Sequence, residues 1–114
     1  MTDIGEDEAA EVLLWLGRNQ FELRSRIGGA SEAFGDEQSI WTRGPARVRV
    51  TRDHGQWWCD VGWEPSRIWL GVHDVAGAMG TNEYSTTERL GNATSWLRSE
   101  TFEALTEILQ ASPD

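Results

Sequence analysis

The sequence predicts an α+β domain of two layers: an antiparallel sheet of four to five strands with the N- and C-terminal helices packed on one face. Three observations carry this. Apolar residues recur at helical spacing near both ends, over residues 5–18 and 100–111. Between them the chain breaks into short segments in which apolar and polar residues alternate. One of these, RVRVTRDHGQWWCDVGW at 47–63, folds back on itself about a two-residue turn. Helices at both ends of a run of strands bury their apolar stripes most economically against the same sheet face. A chain of 114 residues is long enough for one such core and not two.

In the first helix Ala9, Val12, Leu13 and Leu16 form the stripe, with Trp15 at its margin. Acids fill its first turns, where the helix dipole favours them, and Gly17 with Arg18 reads as the stop. FELRSRI at 21–27 alternates Phe21, Leu23, Ser25 and Ile27 against Glu22, Arg24 and Arg26, which predicts a half-buried strand. Residues 28–38 read as loop and 39–43 as a short strand, ended by Gly44-Pro45. The hairpin turns at His54-Gly55, so that Val50 faces Cys59 and Val48 faces Val61 on the inner side, together with Trp57 and Trp63. Thr51 then faces Trp58, and Arg49 faces Asp60, on the outer side. A slip of one residue would turn the valines outward, so the register is well specified. RIWLGV at 67–72 reads as an apolar, central strand, and HDVAGAMG as its end or a single helical turn. Residues 81–88 read as polar loop and 87–97 as a short helix or ordered turn. The last helix has Ser99 as its cap and Phe102, Leu105, Ile108 and Leu109 as its buried stripe.

Charge is unevenly placed. The net charge is −9, and all of the excess lies in residues 1–16 and 99–114, which hold nine acids and no base; the middle of the chain is balanced. Such a protein repels nucleic-acid backbones and anionic membranes and favours basic partners. No apolar run is long enough to span a membrane, the N-terminus is acidic where a signal peptide is basic, and Cys59 is the lone cysteine, so a cytoplasmic protein is expected. Asp53-His54 and His73-Asp74 are the only His–carboxylate neighbours, too few to assemble a metal site. Cys59 alternates inward as a core residue, and no nucleophile elbow, dinucleotide fingerprint or phosphate loop is present. The expectation is a protein that is not an enzyme and needs no cofactor. Among the seven tryptophans, Trp57 and Trp63 read as core, and Trp15, Trp41, Trp69 and Trp96 as core or partly buried. Trp58 alone is placed outward, among charged neighbours; either it lies over its sheet neighbours or under a loop, or it stands free as an interface anchor does.

An acidic N-terminal helix, an RVRVTRDHGQWWCDV hairpin and a closing Leu-rich acidic helix resemble the immunity proteins of bacterial polymorphic-toxin and contact-dependent inhibition systems. The resemblance covers the overall plan and the hairpin. It implies an inhibitor that binds a cognate protein toxin with a basic surface, such as a nuclease, and blocks its active site, with no nucleic acid or membrane as partner. Two docking geometries stand open. One uses Arg49, Trp58, Asp60 and Glu64 by the hairpin, with Asp36 and Glu37 in the preceding loop; this is the preferred set. The other uses Glu6, Asp7, Glu8, Glu100, Glu103 and Glu107 on the helices. The competing function is a small non-enzymatic adaptor or chaperone-like module, as monomer or homodimer.

Overall fold

The structure is a computed structural model that describes residues 4–28, 37–80 and 85–111. It is the α+β domain the sequence predicts. Helix α1 (Glu6–Arg18) leads into strands β1 (Glu22–Gly28), β2 (Glu37–Arg43), β3 (Ala46–Asp53), β4 (Gln56–Trp63) and β5 (Leu70–Gly71). Helices α2 (Val72–Met79), α3 (Thr86–Trp96) and α4 (Ser99–Ala111) follow. The five strands form one antiparallel meander in the order β1-β2-β3-β4-β5.

The β3–β4 hairpin has the predicted register, with Val50 opposite Cys59, Val48 opposite Val61 and Thr51 opposite Trp58. Its turn places both His54 (φ 52°) and Gly55 (φ 80°) in the left-handed region, the geometry that matches the right-handed twist of the two strands. The inner face of the sheet carries Val48, Val50, Trp57, Cys59, Val61 and Trp63. Onto it pack Ala9, Val12 and Leu16 of α1, Val72 and Val75 of α2, Leu90 and Ala93 of α3, and Phe102 and Leu105 of α4, in one continuous core. Ile4 bridges to Trp57 through a 2.8 Å hydrogen bond from its backbone N–H, and so completes the edge of β4 where β5 does not reach.

Several expectations are corrected. Gly17 lies inside α1; the helix is stopped at Asn19, whose side-chain amide donates to the Trp15 carbonyl at 2.8 Å, and at Gln20, which takes φ 68°. The strand at 22–28 is an exposed edge with only Ser25 partly covered; a bulge between Leu23 and Ser25 breaks its alternation and puts Leu23 and Ile27 on opposite faces, both exposed. Glu37 and Gln38 belong to β2 and not to a loop. The apolar run 67–72 yields only a two-residue strand at the opposite edge, and the chain then enters α2. The segment expected as a short helix or ordered turn at 87–97 is a full helix, Thr86–Trp96, fixed by a Ser85–Glu88 capping box. In α4 Ser99 is the first helical residue, and the hydroxyl of Thr101 accepts from the Arg98 N–H at 2.7 Å. Ile108 is 66% exposed and Trp96 43% exposed, so neither joins the core. Among the described residues no helix is long and apolar enough to cross a membrane.

Candidate binding face of the sheet

Among the described residues the four helices feed the core on one side of the sheet, and the other face takes no part in it. Strand alternation arranges that open face in cross-strand rows. One row runs Ile27, Gln38, Thr51, Trp58; the next runs Ser25, Ile40, Arg49, Asp60, Gly71; the third runs Glu22, Thr42, Arg47, Gly62. The β1 bulge brings Ile27 here. Without it Ile27 would share the face of Leu23, but beyond the bulge it is placed on the open side, 63% exposed.

At the centre of the face Nε and Nη2 of Arg49 both donate to Oδ2 of Asp60, at 3.1 and 2.9 Å. Asp60 is buried, and burial pushes its carboxyl above the usual carboxylate range; Arg49 opposes this and the nearby Asp74 adds to it. The Arg49 guanidinium also stacks 4.7 Å from the centre of the Trp69 ring, and that of Arg47 lies 4.6 Å from it. Arg47 in turn donates to the Ser66 carbonyl, which ties the 64–69 segment to β3. The indole can approach this closely because Gly62 lies beneath it. A Cβ at position 62 would sit 3.2 Å from two ring atoms and 3.1 Å from Nη2 of Arg47. Beside the ion pair, half-buried Trp58 lines a shallow groove of about 370 Å³ with Gln38, Arg49, Thr51, Asp53 and Asp60.

Of the sequence-predicted site residues, Arg49, Trp58 and Asp60 therefore meet on one surface. Glu37 does not join them. It alternates to the opposite side and pairs at 3.1 Å with Arg26 and 3.5 Å with Arg52. Glu64 is exposed beyond the end of β4, four residues past Asp60, with its backbone N–H bound to the Pro45 carbonyl. Asp36 lies outside the described residues. Sequence reasoning missed Trp69 and Ile27. The outward glycine opposite Arg47 was the available signal for Trp69, since a strand glycine often marks the close approach of another group. No comparable signal marks the bulge.

Chemically the face offers an aromatic surface, a fixed ion pair and side-chain amide and hydroxyl groups, a set suited to recognition. Cys59 lies behind it in the core, where burial pushes its thiol far up. Among the described residues no group of three or more His, Cys, Asp or Glu is placed to hold a metal ion. The comparisons with protein-family models, curated proteins and solved structures give no match to this chain.

Proposed function

We propose that this protein is an immunity-type inhibitor that binds a cognate toxin domain with a basic surface through its open sheet face and so blocks the toxin's active site. The observation that supports this reading is the juxtaposition of Trp58 and the Arg49–Asp60 pair on a sheet face that the helices leave uncovered. A stiff sheet presents these groups with little ordering cost on binding, and aromatic and Arg side chains are the usual anchors of protein interfaces. The acidic excess lies at the two ends of the chain, in the α1 and α4 regions, while the ion pair on the sheet is internally neutralised. Charge at the ends steers a basic partner from a distance, and the neutral face makes the close contact.

The test is co-expression of the tagged chain with the proteins encoded beside it, followed by purification and a toxicity assay. A stoichiometric complex whose toxicity is suppressed, and whose affinity falls at least about tenfold in Trp58→Ala, is the expected result. A chain that purifies without a partner, or as a dimer indifferent to its neighbours, overturns the proposal; the dimer favours the adaptor. A folded Trp58→Ala that binds its partner as tightly as the parent removes the sheet face from the interface.

A further inference from the structure

A second surface lies where the 64–69 segment passes α4. There a groove of about 390 Å³ has Pro65, Ile68 and Phe102 as its apolar lining, Ser66 on its wall, and Glu103 and Glu107 at its border. Phe102 is 1% exposed and Ile68 packs against the core, so the floor is fixed. Glu103 and Glu107 are exposed, one helical turn apart, and among the described residues neither makes an ion pair. Their charges work against the helix that carries them. Like charges four residues apart repel, Glu107 adjoins the last turn where the dipole disfavours an anion, and that turn has no basic residue.

We propose that this groove is a docking slot for a cationic side chain, arginine or lysine, presented by an extended segment of a partner protein. The aliphatic stem lies along Pro65, Ile68 and Phe102, and the charged head sits between the two carboxylates, which are roughly 5–6 Å apart at their Cβ atoms on a regular helix. The occupant supplies the positive charge that α4 lacks, and the apolar lining distinguishes this slot from a merely acidic surface. The inference does not depend on the open sheet face and stands whether or not that face binds a toxin.

The probe is the capped tripeptide acetyl-Leu-Arg-Leu-amide, titrated into the full chain while backbone amide signals are followed by NMR. Saturable shifts at Ser66, Ile68 and Thr106 are expected, with binding weakened at least about tenfold in Glu103→Gln/Glu107→Gln. The Glu6→Gln/Glu11→Gln variant changes the net charge equally on α1 and should bind within about twofold of the parent. A tripeptide with norleucine in place of arginine should not bind. Equal weakening in both double variants, shifts spread over α1 and α4 alike, equal binding of the norleucine peptide, or no saturable shift would each overturn the proposal. Glu103 and Glu107 are exposed and unfavourably placed on α4, so the Glu103→Gln/Glu107→Gln variant should melt no lower than the parent.

Discussion

Trp57 and Trp58 are adjacent in sequence and opposite in consequence. Trp57 is in the core and Trp58 lies half-buried on the open face. Trp57→Ala should therefore cost about 3–5 kcal/mol, as large core deletions do, and Trp58→Ala only about 1 kcal/mol, measured by urea denaturation. Arg49 carries a different burden. Its loss would leave Asp60 buried without a counter-charge, so Arg49→Ala should destabilise the protein by about 2 kcal/mol at neutral pH. The pH dependence has a definite sign. A carboxyl raised in the folded state contributes its full stability below the unfolded pKa, about 3.9, and loses it as pH rises through the folded value. Removing Arg49 lifts the folded value further. The deficit of Arg49→Ala should accordingly be small near pH 4 and grow toward pH 7; an equal deficit at both would mean that Asp60 stays neutral in the parent.

At the scale of elements, the sheet is asymmetric in how its edges are managed. β5 is only two residues long and runs into α2, while β1 is a full strand protected by its bulge and by charged Glu22, Arg24 and Arg26. The 64–69 segment joins the two surfaces of interest, with Trp69 over the arginines of β3, and Pro65 and Ile68 facing the α4 groove. Its seat depends on Gly62. Gly62→Val should lift the indole off Arg47 and Arg49 and cost about 1–3 kcal/mol through overpacking. Loss of the ring-current shifts of the two arginine side chains in NMR spectra would report the displacement; unchanged shifts would show that the ring is held by other contacts.

The molecule as a whole has one core, and every helix enters it. Cys59 sits near the middle of β4, shielded by the helix layer on one side and the sheet on the other. With its thiol held protonated by burial, it should react with a disulfide reagent only when the core opens. Native protein should show no rapid thiol titration, one equivalent should appear in denaturant, and the slow native rate should follow global stability across the variants above. A fast native reaction would mean that the helix layer opens locally over β4.

The sequence by itself determined the α+β class, the extents of α1 and α4 to within a residue or two, and the β3–β4 register, including the turn at His54-Gly55 and the split between Trp57 and Trp58. These are local or pairwise matters, set by helical period, strand alternation and turn chemistry. Within the expected site, that same register brought Arg49, Trp58 and Asp60 together. Only the tertiary structure decided the rest. An apolar run such as IWLGV has no periodicity to say whether it pairs, so Trp69 was free to leave the sheet and cover two arginines. Leu23 and Ile27 obey a strict alternation that one bulge divides between two faces, and Glu37 answers to arginines on β1 and β3 that its own neighbours do not announce. Which face of a sheet stays open depends on where distant helices pack, and no short stretch of residues carries that information.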